Sequence, residues 1–405
     1  MNYARLLIVL LLPMGAFAQP GFIGSSNYIR LAAPGCNAVS PVQIPGSADL
    51  FINRRLLTDR GQLAGVDGPN DCSGGRINRL GLVIDRLDWR TGKFSLVKAL
   101  LNTSVDTTTG HSRAIITEGP MRGAIIQSAY DADVVVYKGA YIVVFECTLA
   151  NGAAYGVQGT SIGLSVYDPV TQTLDMSRTV VIIGAIRGTG GLIDVAAVPE
   201  LLVYRDRLYL YWSDITIRNG QFLRIAVRGA ELAASDSGVS VRGAAPAVLQ
   251  HAGGLVHTTD EPATTEVWAP DPNDPSANQT VDIRALWVHD KSVFAMSSQG
   301  GSGCLTPVDS AGGCFHMVIV KTREPLKRHG FNEAERIDTA LLPTNPQVYT
   351  RPIKDSAGRF WMIGNYFYPR VSGGDRIAPG AYWNAANRKR LAFILSPLLD
   401  PLLPN

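Results

Sequence analysis

One pattern constrains this chain more than any other. A strand, a tight turn and a second strand opening on an aromatic recur along its length. The plan is plainest in DVVVYKGAYIVV (133–144), ELLVYRDRLYLYW (200–212) and DIRALWVHDKSVFAM (282–296), with a weaker copy in RPIKDSAGRFWMI (351–363). Near the N-terminus, Ala48-Asp49-Leu50-Phe51-Ile52 matches the start of the first of these. An outer hairpin recurs too: Gly81–Phe94 and Gly163–Leu174 each run a strand into an Asp-led turn, at Asp85 and Asp168, and out again. Apolar runs of four to eight residues bounded by turn signals mark an all-β chain, and amphipathic helix is nearly absent.

The aromatic markers Tyr141, Tyr209, Phe294 and Phe360 are spaced at 68, 85 and 66 residues. Four-stranded units repeating at that scale are propeller blades with generous loops. The spacing predicts a five-bladed β-propeller of four-stranded antiparallel blades in one domain, residues 19–405. Arg390–Ser396 is a further strand available to complete a blade. A pair of β-sandwiches is the competing architecture, because hairpins recur there also. The 41 Gly and 24 Pro suit so many turns.

The first eighteen residues belong to targeting, not to the fold. Arg5, the apolar run Leu6–Leu12 and Ala16-Phe17-Ala18 have the form of a signal peptide cleaved near Ala18/Gln19. The expected protein is secreted or periplasmic and monomeric, with no membrane insertion. A net charge of +3 spread without Lys/Arg runs offers no basis for nucleic-acid binding. Export permits disulfides. Cys304 with Cys314 and Cys36 with Cys72 are plausible pairs, leaving Cys147 as a buried free thiol.

Aligning the hairpins puts Asp49, Asp133, Glu200, Asp282 and Arg351 at one position, where an apolar strand begins. A carboxylate entering such a strand is costly to desolvate unless it is paired. In a propeller the innermost strands line a central channel, so these side chains would converge and repel, raising some pKa values. Two carboxyl groups in one depression are what glycoside hydrolysis uses. Asp at a strand end also makes ordinary turn hydrogen bonds, the commoner fate of any one of these residues. Asp131 shares a face with Asp133 and competes with it.

This arrangement resembles the five-bladed β-propeller glycoside hydrolases of the arabinanase, β-xylosidase and levansucrase/invertase kind, which carry Asp, Asp and Glu on the inner strands of their first three blades. The resemblance implies that Asp49 is base or nucleophile, that Asp133 or Asp131 orients substrate and tunes the acid, and that Glu200 is the general acid. The YKGAYIVV hairpin is typical of such proteins. Asp49 lacks their neighbouring proline, and Glu200 follows Pro199 where their acid precedes one; Glu118-Gly119-Pro120 makes Glu118 a competing acid. The implied substrate is a furanoside- or pentose-containing polysaccharide such as arabinan. A non-catalytic propeller binding a glycan or protein is the alternative.

Sugar sites add aromatic platforms and polar groups. Trp268 is a candidate, with Trp212, Trp287, Trp361 and Tyr366. Asp282 with Arg284 and the ring cation Arg351 are candidate substrate contacts. No catalytic cofactor is expected. His257, Asp260 and Glu261, and Asp271 with Asp274, offer ligands for a structural calcium but without EF-hand spacing.

Overall fold

The computed structural model describes residues 28–30, 41–55, 80–101, 114–187, 191–219, 221–235, 238–241, 249–251, 264–270, 280–300, 315–337, 347–355, 360–367 and 377–382. The targeting segment, the four paired-cysteine candidates, the calcium candidates and Arg390–Ser396 lie outside them. Cys147 is described, and it is a buried free thiol.

The described elements are all strands apart from one short 3-10 turn at Gly152–Tyr155. Strand β1 (Tyr28–Arg30) stands apart from its neighbours in sequence. The first sheet runs in the order β2 (Val42–Gln43), β3 (Leu50–Arg55), β4 (Leu80–Asp88), β5 (Lys93–Leu101). The second meander is β6 (Ile126–Tyr137), β7 (Ala140–Leu149), β8 (Ser161–Asp168) and β10 (Val180–Arg187), with the short β9 (Thr173–Leu174) hanging from β8. The third is β11 (Leu192–Tyr204), β12 (Arg207–Arg218) and β13 (Gln221–Ser235). Of the following β14 (Gly238–Val241), β15 (Leu249–His251) and β16 (Thr265–Trp268), β14 and β16 both pair β13. The fourth is β17 (Thr280–His289), β18 (Ser292–Gly300), β19 (Phe315–Thr322), β20 (Glu335–Ile337).

These four antiparallel meanders are the blades of a propeller arrangement. The count corrects the expected five consecutive blades. The last strands, β21 (Gln347–Lys354), β22 (Phe360–Phe367) and β23 (Ile377–Tyr382), have no fourth strand after them among the described residues. They take β1 from the N-terminus instead, in the register Tyr28↔Tyr382 to Arg30↔Gly380. Blades two to four also join edge to edge, but only at short seams: Ile186↔Asp194 and Arg187↔Ile193, and then Ile225↔Thr280.

Local chemistry explains the hairpins. Three inner turns place two residues at positive φ: Lys138-Gly139 (49° and 78°), Arg205-Asp206 (50° and 58°) and Asp290-Lys291 (46° and 58°). That is the two-residue turn whose twist matches the flanking strands. Of the two outer Asp-led turns, the first is led by Asp88 and not by Asp85, which lies within β4 paired to Leu50, and the two turns share their bonding. Asp88 accepts the Arg90 N–H (2.8 Å) and the Thr91 hydroxyl (2.7 Å), and Asp168 accepts the Val170 N–H and Thr171 hydroxyl at the same distances.

Apolar clusters fill the spaces between blades. Phe51, Ile84, Phe145 and Tyr167 are among the residues joining the first two. Ile142, Leu201, Leu210 and Trp212 join the second and third, and Tyr211, Val267, Ile283 and Phe331 join the third and fourth. Leu50, Val83, Ile353 and Trp361 bring the first sheet against the last. Innermost strands therefore touch in the cyclic order β2, β6, β11, β17, β21 and back to β2. Gln43 seals the last step, accepting from Lys354 N–H at 3.2 Å and donating to its carbonyl.

Candidate active site

Four inner strands carry a register break at corresponding places. It falls between Tyr130 and Asp133 in β6, Ala197 and Glu200 in β11, Ile283 and Ala285 in β17, and Val348 and Arg351 in β21. Such bulges re-aim the side chains beside them. In two of them a non-glycine residue is left-handed, Asp131 (φ 43°) and Val198 (φ 49°). A β-branched residue such as Val198 holds that conformation only when its surroundings impose it.

A cavity of about 170 Å³ lies between these strands, and its wall begins in each at the first residue after the bulge: Asp133, Glu200, Ala285 and Arg351. Arg351 joins two blades there. Its guanidinium grips Glu200 with both terminal nitrogens, one at 3.2 Å, and reaches Asp133 at 3.4 Å. The other oxygen of Asp133 accepts the Leu201 N–H at 2.7 Å, anchoring it beside Glu200. Beyond the bulges, Arg284 bonds Asp282 at 2.5 Å and stands 3.9 Å from Asp131.

Burial governs the charge states. Glu200 is 1% exposed, and desolvation pushes its pKa well above the ordinary carboxylate range; Asp133 adds to the rise and Arg351 opposes it. Desolvation also raises Asp133, against the pull of Arg351, of the Leu201 N–H and of a hydrogen bond with Glu200. Two carboxyl groups sharing one site do not both ionise readily, and burial here shifts both towards the protonated form.

The structure thus brings Asp133, Glu200 and Arg351 together and sets Asp282, Arg284 and Asp131 beside them. Asp282 does not share their position: Ala285 stands as far from its hairpin turn as Asp133 and Glu200 do from theirs, and Asp282 lies three residues further out. Asp49 lies elsewhere. The first blade's innermost strand is β2, so Asp49 precedes the second strand. It is buried in the β2–β3 turn, where it accepts the Arg86 Nε–H at 2.7 Å, and the cavity wall in that blade includes Val42 and Gln43 instead. Glu118 is exposed on a loop. Trp268 is buried in the core, stacked on Phe331 with ring centroids 5.4 Å apart. Trp212 is also core, and Trp361 stacks on Trp89 and donates to Asp355. Trp287 lines the cavity and stacks on Phe294. The side chain of Tyr366 lies outside the described ones. Among the described residues no group of three or more His, Cys, Asp or Glu is placed to hold a metal ion, and no helix is long and apolar enough to cross a membrane.

One residue of this neighbourhood escaped the sequence reading. Glu146, at the centre of the apolar β7, is buried among Tyr130, Asp131 and Arg284 and accepts the Val198 N–H at 3.0 Å. Desolvation, reinforced by Asp131, pushes its pKa up to about 8. Like Asp133, Glu146 is an acid inside an apolar run, VVFECTL.

No family model matches the chain, and no curated protein matches it. Among solved structures it is similar to a GH43 endo-arabinanase from Bacillus licheniformis (10% identity, covering 88% of this chain and 98% of that one, TM-score 0.44). It is similar also to an alpha-L-arabinofuranosidase from Lactobacillus brevis (8%, 88% and 92%, TM-score 0.44). A third is an endo-arabinase from Bacteroides thetaiotaomicron (8%, 89% and 98%, TM-score 0.43). These are enzymes of the kind the hairpin motifs resemble. At such identities and TM-scores the likeness carries no argument about chemistry, which rests on the residues.

Proposed function

We propose that this protein is an exported glycoside hydrolase acting on a furanoside- or pentose-containing polysaccharide such as arabinan. The observation that carries the reading is the convergence of Glu200 and Asp133, from different blades, at the wall of one central cavity. Glycosidic cleavage needs an acid whose pKa is raised, and burial raises that of Glu200. Glu200 protonates the leaving oxygen. Asp133, fixed by the Leu201 N–H, orients substrate and sustains the raised pKa of the acid. In the free protein Arg351 holds both carboxyls, and substrate hydroxyls take over its donors.

For the base or nucleophile, Asp131 is favoured over Asp49. The charge of Asp131 reaches Glu200, whereas Asp49 is engaged by Arg86; neither lines the cavity wall itself. The arabinan-like substrate follows the sequence resemblance alone. The proposal includes signal-peptide cleavage near Ala18/Gln19, a monomer, and a ring whose fifth blade is β21–β23 completed by β1.

A second reading, a non-catalytic propeller binding a glycan, is favoured by one observation: the closed, bidentate Arg351–Glu200 pair leaves the acid almost no exposure. Hydrolysis of arabinans, arabinogalactan, xylan and fructans by the purified mature chain separates the two. Glu200→Gln, Asp133→Asn, Asp131→Asn and Asp49→Asn are run alongside. Activity lost in Glu200→Gln and Asp131→Asn with folding intact supports the hydrolase as assigned; loss in Asp49→Asn but not Asp131→Asn returns the base to Asp49. A chain that cleaves none of them but retains a glycan in an array favours the second reading.

A further inference from the structure

Glu200 points at the cavity because β11 bulges just before it, and that bulge is an unfavourable piece of backbone. Val198 is left-handed and β-branched, and Pro199 has no N–H to contribute to a ladder. The paired register is broken from Ala197 to Glu200, so the Val198 N–H finds no partner in β12. It finds one in the preceding blade, the Glu146 carboxylate at 3.0 Å. Three residues later the Leu201 N–H is taken by Asp133 of the same blade at 2.7 Å. Carboxylates of the second blade therefore pin β11 on both sides of Glu200. Glu146 is itself set by the neighbouring bulge, lying directly across the ladder from Tyr130, whose hydroxyl bonds it.

We infer that Glu146 is a positioning residue of this site: by accepting the Val198 N–H it holds the β11 bulge that turns Glu200 to the cavity wall. Its catalytic consequence rests on the hydrolase reading; the clamp itself does not. Glu146 touches neither the cavity nor Arg351, and it acts through the backbone. Burying a carboxyl there is costly, and an acceptor at that one point is what offsets the cost of an N–H left unpaired.

The test uses Glu146→Ala and Glu146→Gln in the full mature chain with two readouts. Amide hydrogen exchange at Val198 should quicken about tenfold or more in Glu146→Ala while Val143 and Leu210 keep their protection, because opening is then local. Glu146→Gln keeps an acceptor oxygen and should restore Val198 to within about threefold of wild type. On a cleaved polysaccharide, Glu146→Ala should lower kcat about a hundredfold with KM within about twofold, since a misaimed acid affects the transition state and not uniform binding. Glu146→Gln should recover most of that loss. If the alanine variant fails to fold, Glu146→Asp, whose carboxylate falls one methylene short, takes its place with the same expected losses. Unchanged exchange at Val198, or a glutamine variant no better than the truncated one, overturns the inference. If the wild type cleaves nothing, the hydrolase reading fails, and the exchange together with a crystal structure of Glu146→Ala still decides the clamp: a Glu200 carboxyl that stays at the cavity wall overturns it.

Discussion

Two arginine–glutamate pairs in this molecule have the same bonding and opposite charge behaviour. Arg351 grips Glu200 at the central cavity; Arg224 grips Glu266 with bonds of 2.7 and 2.9 Å at the edge of the third blade, where His329 adds a third at 3.0 Å. Desolvation raises both glutamates. At Glu266 the hydrogen bonds and charges of Arg224 and His329 outweigh it and leave the pKa lowered, while at Glu200 desolvation prevails. The difference is the solvent around the cation. Arg224 and His329 side chains are about two-fifths exposed, at 42% and 40%, against 4% for Arg351. A half-exposed cation keeps its hydration and stabilises a carboxylate at little cost, whereas a sealed pair gains its attraction against a large desolvation penalty. One pair therefore serves as a fastening, and in the other burial pushes the carboxyl towards its protonated form.

The largest expected effect separates the two chemically. Glu200→Gln should reduce polysaccharide hydrolysis by about 10³-fold, the scale of general acid catalysis, while Glu266→Gln leaves kcat within about twofold. Initial rates on the cleaved substrate measure both; comparable losses would erase the distinction. Next, cutting the cation should destabilise unequally. Arg351→Ala leaves two buried carboxyls without their partner and should cost about 3–5 kcal/mol. Arg224→Ala, screened by solvent, should cost about 1 kcal/mol or less. Urea unfolding of the two variants gives the comparison directly.

The pH dependence should run in opposite senses. Glu146 belongs with the buried group: its folded pKa of about 8 lies above its unfolded value, so the folded state holds the extra proton between about 4.5 and 8. Its contribution to stability is present below that window and is lost as pH rises through it, so Glu146→Gln should flatten the decline. Glu266 is depressed, so its contribution is present above its unfolded value and is lost as pH falls through the folded one. Glu266→Gln should therefore destabilise at pH 7 but not in strong acid. Melting temperatures from pH 3 to 9 measure both slopes. The smallest effect is ionic strength: 0.5 M NaCl should reduce the difference between wild type and Arg224→Ala and leave that for Arg351→Ala nearly unchanged.

Much of the site was legible because buried charge is rare and conspicuous in apolar strands. Asp133, Glu200 and Arg351 were aligned by pattern alone, and the structure brings them into contact across 151 and 218 residues. Asp49 was aligned by the same pattern and is placed apart, because Val42–Gln43, too short to read as a strand, takes the innermost place in its blade. Asp282 misses the shared position because it stands seven residues before its turn-closing pair His289↔Ser292, whereas Asp133 and Glu200 stand four before theirs, so that Ala285 falls in register with them. The strand expected at Arg390–Ser396 lies outside the described residues; among those described, β1, three residues long, pairs β23 from the other end of the chain.

What the sequence by itself determined is local. It set where strands turn, since Lys138-Gly139 and Asp88 through Thr91 carry their own turn chemistry. It also set which strands bear a carboxylate that must be paired. Only the tertiary structure decided which carboxylates meet, how many strands consecutive chain supplies to each blade, and which oxygen catches the Val198 N–H. Those depend on bulges and on neighbours from other blades, whose energies arise from burial that no short stretch of sequence contains.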